Sequence, residues 1–282
     1  MKIIECPRDA MQGIDEFMPT ELKINYINEL LKVGFDTIDF GSFVSPKVIP
    51  QMKDTSTVYS GLDLKHTRSK LLAIVANLRG AREASLFEKI TYLGFPLSIS
   101  ETFQKRNTNM SVDGALRELE SIRNVCTQAE KKLVVYISMG FGNPYGDHYD
   151  VTTVLKFVNN MISLGADVIS VADTVGLATT DDVNALFSEL IPAFPDTEIG
   201  VHLHARAEDA HDKVLAAYRA GCRRFDGALK GYGGCPMAND KLVGNIPTEL
   251  LISALDSLGA KIDIDRVAFQ RALVSASATF PA

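Results

Sequence analysis

"VTTVLKFVNNMISLGADVISVAD", residues 151–173, contains the plan of the whole chain in one unit. Val154, Phe157, Val158, Met161 and Ile162 recur at helical spacing and make one apolar face. Gly165 stands where that helix should end, because glycine takes the left-handed conformation that closes a last turn. The pattern then switches to the short apolar run "DVISVAD" (167–173), which reads as a strand. The same succession recurs elsewhere. "TELKINYINELLKVG" (20–34) puts Ile24, Ile27, Leu30 and Leu31 on one face, ends at Gly34 and leads into "DTIDFG" (36–41). "AHDKVLAAYRAG" (210–221) ends at Gly221 and leads into "RRFDGAL" (223–229). "TTDDVNALFSELI" (179–191) adds a helix capped by Thr179 or Thr180, and "VDGALRELESIRNVCTQAEKK" (112–132) is the longest helical pattern.

Strands are expected near 3–6, 36–41, 71–77, 89–95, 133–139, 167–173, 198–204 and 223–229. Alternating strands and helices imply a parallel sheet. Eight such units in 282 residues fit a closed (β/α)8 TIM barrel, with a short helical extension at the C-terminus. No GxGxxG follows the first strand, which argues against a dinucleotide-binding sheet. No Pro-, Gly- or Ser-rich linker interrupts the chain, so residues 1–282 are expected to form a single domain. The composition, 46% hydrophobic and 23% charged, is that of a globular protein with a full core. The net charge is −6 and no basic block occurs, which excludes nucleic acid and anionic membrane as expected partners. Apolar runs such as "LLAIVANL" (71–78) are too short for a bilayer, and "MKIIECPRD" lacks a signal-peptide core. Cys6, Cys126, Cys222 and Cys235 are scattered without a CxxC pair, so free thiols in the cytoplasm are expected.

Active sites of such barrels lie at the C-terminal ends of the strands. The first strand is followed by Arg8 and Asp9, and the second carries Asp39 and then "GSFVSPK" with Ser42. The sixth ends at Asp173, and the seventh with His202 and His204. Beyond the eighth lies "GYGGCPMANDKLVGN", with Cys235 and Asn245. Two histidines two residues apart share one face of a strand. With Asp9 from the neighbouring end of the closed order they form a divalent-cation site; separately, each is a hydrogen-bonded interior histidine. Two imidazoles with oxygen ligands suit Zn2+, Mn2+, Co2+ and Mg2+ alike. Arg8 either neutralises a developing enolate or makes an ordinary ion pair at the barrel mouth. Asp39 and Asp173 are candidates for general base or for orienting other groups. Cys235 is either a thiol carried over the mouth by a glycine-rich loop or an incidental small residue. Arg206 faces the same way as the histidines if the strand continues, where its guanidinium suits an acidic substrate group. If the chain turns at His204, Arg206 pairs with Glu208 or Asp209 instead.

Several of these runs carry a resemblance. "ECPRDAMQ" (5–12), "GSFVSPKVIPQMKD" (41–54), "VADTVG" (171–176), "VHLH" (201–204), "GYGGCPMA" (231–238) and "GN" (244–245) resemble the hydroxymethylglutaryl-CoA lyase family, one of the metal-dependent lyase and Claisen-type synthase barrels. The resemblance covers roughly residues 3–260. It implies a metal site at Asp9, His202, His204 and Asn245, a catalytic arginine at Arg8, a loop cysteine at Cys235 and the strand-six aspartate at Asp173. It implies cleavage of 3-hydroxy-3-methylglutaryl-CoA to acetyl-CoA and acetoacetate, usually with Mg2+ or Mn2+. Arg8, Ser42 and Arg206 are the expected substrate contacts, and a homodimer is the expected assembly. The chain departs from the family pattern at Asp39, where the family has glutamate, and at Ala10, where it has glycine. Ala205 and Arg206 replace Asp-Thr, and the segment from Cys235 to Asn245 is one residue longer. These departures keep two rivals open: a lyase or aldolase for another 3-hydroxyacyl thioester or hydroxy-oxo acid, and a non-catalytic acyl-thioester-binding barrel.

Overall fold

The computed structural model describes residues 1–234 and 243–280. Eight parallel strands close in sequence order: β1 (Lys2–Glu5), β2 (Thr37–Ser42), β3 (Lys70–Ile74), β4 (Ile90–Ser98), β5 (Lys132–Ser138), β6 (Val168–Asp173), β7 (Glu198–Leu203) and β8 (Arg224–Gly227). β1 closes the ring against β8, with Ile4 opposite Asp226 and Glu5 opposite Gly227. The (β/α)8 barrel expected from the alternation is the fold observed.

The local signals act as the sequence predicts. Asp150 accepts the Thr153 N–H at 2.6 Å and caps the helix Val151–Ser163, which buries Val154, Val158 and Met161. Gly34 and Gly165 sit at φ of 77° and 84°, where any Cβ would be strained. Thr179 and Asp182 cap each other at the start of the helix Thr180–Ala193. Some ends differ. β3 stops at Ile74 rather than 77, because Asn77 turns to accept the Gly80 N–H and cap the helix Leu78–Ser85. The longest helix ends at Gln128, since Glu130 takes a positive φ and Lys132 already belongs to β5. The helix Ala207–Arg219 starts three residues earlier than its apolar stripe, with Glu208 and Asp209 in the first turn, where the helix dipole favours acids.

The main core lies between barrel and helices, and a smaller apolar group, Leu72, Ile74, Tyr92, Val134, Tyr136 and Val168, packs as a separate cluster. After β8 the chain forms the helices Thr248–Ser257 and Arg266–Thr279. This is the expected C-terminal extension, and it packs back on the start of the chain through Phe269 against Phe35 and Phe280 edge-on to Tyr26. No described helix is long and apolar enough to cross a membrane.

Candidate active site

The short helix Pro7–Gln12 follows β1 directly, so Arg8 and Asp9 are delivered to the C-terminal mouth. Arg8 is 9% exposed and is held on three sides. Its Nε and Nη2 donate to Asp39 Oδ2 at 3.0 and 2.6 Å, and its Nη1 donates to Asp9 Oδ1 at 2.9 Å and Gln12 Oε1 at 2.8 Å. A guanidinium has five N–H donors. The one left over is on Nη2, on a residue that lines the cavity. Burial pulls the Arg8 pKa down, and Asp39 and Asp9 more than reverse this, so it stays charged. Burial pushes Asp39 up to about 6 against the pull of Arg8. Asp9 is held below the usual carboxylate range: burial raises it, but Arg8 and the two histidines outweigh burial.

His202 and His204 project from the end of β7, and their Nε2 atoms face each other at 3.2 Å. His202 Nδ1 lies 3.1 Å from Asp226 Oδ2 and His204 Nδ1 lies 2.9 Å from the Thr174 carbonyl, which assigns the ring proton to Nδ1 in both. Burial, with His202 alongside, lowers His204 to about 4 and keeps it a neutral electron-pair donor. Burial also lowers His202, but Asp226 and Asp9 reverse the direction. The two Nε2 atoms thus meet at short range, with Asp9, His202 and His204 donor atoms all within 4.8 Å of one another. Two imidazole nitrogens and a carboxylate gathered on one point are a donor set that fits a divalent metal. The Asn245 Nδ2 donates to Asp9 Oδ2 at 2.7 Å and to the Tyr232 carbonyl at 2.9 Å, which sets the side chain beside the same group of donors.

These groups open into a cavity of about 180 Å3. Arg8, Asp9, Gln12, His202 and His204 form its polar side, and Val44, Ile49, Ile74, Pro96 and Phe103 face them. A second cavity, about 370 Å3, opens at the opposite mouth beside Lys2, Glu198 and Arg224 and is lined by no histidine or cysteine.

Other expected residues fall elsewhere. Asp173 does not line the cavity: it accepts the Leu177 and Ala178 N–H groups at 2.8 and 3.1 Å and Lys213 Nζ at 3.3 Å. Ser42 is buried behind the wall, donating to the Ile74 carbonyl and accepting the Val44 N–H. Arg206 corrects the strand-parity expectation. β7 ends at Leu203, and the Arg206 side chain is 74% exposed, 3.6 Å from Glu208 and 4.0 Å from Asp209, outside the cavity. Cys235 lies outside the described residues.

Gln12, Asp226 and Lys213 were not anticipated. A partner for each ring Nδ1 is the rule at metal sites, and Asp226 stands on the strand next to His202. Lys213 interrupts the apolar stripe Ala210, Val214, Ala217 and is buried, a signal that the charge has an internal partner. Lys213 Nζ donates both to Asp173 and to the His204 carbonyl at 3.3 Å, so it holds the backbone that carries one imidazole. Lys213→Met is therefore expected to weaken metal binding ~10–100-fold and to destabilise the fold by leaving Asp173 unpaired. In the double variant with Asp173→Asn, stability measured by denaturant should return and metal affinity measured by calorimetry should not. Recovery of both would reduce Lys213 to a charge partner of Asp173.

Known proteins share this architecture. The chain is 31% identical over 261 residues to a hydroxymethylglutaryl-CoA lyase of Bacillus subtilis, covering 92% of this chain and 85% of that one. It is 30% identical to the mitochondrial hydroxymethylglutaryl-CoA lyase of Gallus gallus, covering 94% and 88%. The structure of an HMG-CoA lyase from Acinetobacter baumannii, in complex with coenzyme A and 3-methylmalate, superposes with a TM-score of 0.91 at 32% identity over 99% of this chain and 90% of that one. The B. subtilis HMG-CoA lyase structure gives 0.89 at 31% identity over 98% and 91%. A family model described as HMGL-like matches residues 2–274, and with an arginine, a carboxylate and paired imidazoles gathered at the mouth of its barrel, the chain belongs to the HMGL-like family.

Proposed function

We propose that this protein is a metal-dependent carbon–carbon lyase that cleaves 3-hydroxy-3-methylglutaryl-CoA to acetyl-CoA and acetoacetate. The observation that carries the reading is the convergence of Asp9, His202 and His204 on one point, with Arg8 bonded to Asp9 at 2.9 Å. Asp9, His202, His204 and Asn245 are the residues that would hold the cation, with Mg2+ or Mn2+ as first choices and Zn2+ or Co2+ compatible with the donors. When bound, a divalent cation lowers the pKa of the substrate's tertiary hydroxyl and orients it.

The chain's own residues account for the rest. Asp39 and Gln12 fix the guanidinium so that its remaining Nη2–H points to a thioester oxygen, where enolate charge develops as the carbon–carbon bond breaks. The wall from Val44 to Phe103 excludes water from that enolate. Cys235 is the proposed acid that gives a proton to the enolate carbon to form acetyl-CoA. The hydroxyl proton leaves to solvent, from which the thiolate is reprotonated, so one proton is lost and one gained per turnover. The whole chain is proposed to act as one domain in the cytoplasm.

The test is an assay with 3-hydroxy-3-methylglutaryl-CoA and Mg2+ or Mn2+, following acetoacetate, beside a panel of other 3-hydroxyacyl-CoA thioesters. Acetoacetate as the main product supports the reading. Binding without turnover points to a non-catalytic barrel, and preference for another thioester relocates the substrate. Cys235→Ser should lower kcat by ~10² or more while metal affinity holds.

A further inference from the structure

On the other face of His202 lies a second group of donors. Cys6, His202 and Asp226 bring a thiol sulfur, a ring nitrogen and a carboxylate oxygen within 4.8 Å of one another, and all three residues are buried. The set differs from the one at the mouth in its softness. Asp9, His202, His204 and Asn245 offer oxygens and imidazoles, whereas Cys6 brings a sulfur, which selects thiophilic cations. His202 belongs to both sets through different atoms. Its Nε2 faces His204 at 3.2 Å and its Nδ1 faces Asp226 at 3.1 Å.

A second observation marks the place. Asp226 Oδ1 and Tyr136 Oη are buried and have no hydrogen-bond partner among the described residues. The Tyr136 ring meets His202 edge-on at 5.9 Å, so both unpartnered atoms lie on residues next to His202. The buried Arg224 guanidinium offsets part of the Asp226 charge without a hydrogen bond to it, and a ligated cation would satisfy the oxygen that lacks a donor. The Cys6 sulfur makes only a weak bond to the Ile4 carbonyl at 3.8 Å; burial and the surrounding carboxylates keep the thiol protonated, so a bound cation has to displace that proton.

We propose that Cys6, Asp226 and the Nδ1 of His202 form a second cation site, for a thiophilic divalent ion such as zinc, and that His202 links it to the site at the mouth. The inference rests on the proposed function only in taking His202 Nε2 as a ligand of the first cation. Binding displaces the thiol proton of Cys6 to solvent; the Nδ1 proton of His202 moves to Nε2 when the mouth site is empty and leaves to solvent when a cation already holds Nε2. It also replaces the Asp226 hydrogen bond that orients the His202 ring. Zinc is therefore expected to inhibit turnover supported by saturating Mn2+.

Titration with Co2+ tests this. The parent should bind two equivalents, one of them with the sulfur-to-cobalt charge-transfer band of a thiolate ligand. Cys6→Ala should keep one equivalent, lose the band and lose zinc inhibition, with an unchanged melting temperature; Cys6→Ser serves if alanine packs poorly. Cys235→Ser should keep the band. One equivalent without a band in the parent overturns the second site and leaves the proposed function standing. One equivalent with a band that Cys6→Ala abolishes upholds the second site and removes the first. A band that survives Cys6→Ala overturns the inference.

Discussion

His204→Ala is expected to abolish turnover and metal binding at the barrel mouth together while the barrel stays folded. The imidazole is 4% exposed, and its Nε2 points at the Nε2 of His202. Its removal leaves a single imidazole beside Asp9 and Asn245, too weak a donor set to hold a labile divalent ion in place. A catalytic cation supplies several kcal/mol of charge stabilisation. A loss of ~3–4 kcal/mol corresponds to ~10²–10³ in rate. The fold should tolerate the change, because the His204 ring contacts His202 and the Thr174 carbonyl and takes no part in the strand pairing that closes the barrel. Metal analysis and calorimetric melting are the measurements. Undiminished metal content in a folded variant would remove the proposed site.

Arg8→Met should cost as much in rate and also cost stability. Removing a preorganised charge stabiliser typically costs ~10²–10³ in kcat. The same substitution leaves Asp39 and Asp9 without their main partner in a buried place, which costs ~3–5 kcal/mol. The two effects separate in the double variant with Asp39→Asn, where stability should partly recover and turnover should not. The sign of the pH dependence follows from Asp39. Burial raises its folded pKa from 3.8 to about 6, and loss of Arg8 raises it further. An acid whose pKa rises on folding adds stability below its unfolded value and loses it as pH climbs through the folded value. The part of the Arg8→Met deficit carried by Asp39 should therefore be largest above the variant's raised folded pKa and shrink as pH falls towards about 6. A deficit that grows on acidification would show that Asp39 is not the group left unpaired.

Much of the architecture was legible before any coordinates. The glycines at 34, 165 and 221 end helices and start strands through a purely local rule: each takes a positive φ that other residues avoid. The strand period of two likewise put His202 and His204 on one face without reference to any neighbour. The same local rule failed two residues later, at Arg206, because it does not say where a strand stops.

Ring closure and side-chain contacts settled the remainder. Asn245 donates to Asp9 across 236 residues, a meeting that exists only because β1 pairs with β8. Asp226 orients His202 because β8 lies beside β7. Asp173 ends its strand as expected, yet Lys213 and two backbone N–H groups turn its carboxylate away from the cavity. Arg8 divides its donors among Asp39, Asp9 and Gln12. Periodicity encodes which face a side chain presents. The partner that satisfies a buried donor or charge is a matter of distance in space, and in a closed barrel that distance is set by closure and not by separation along the chain.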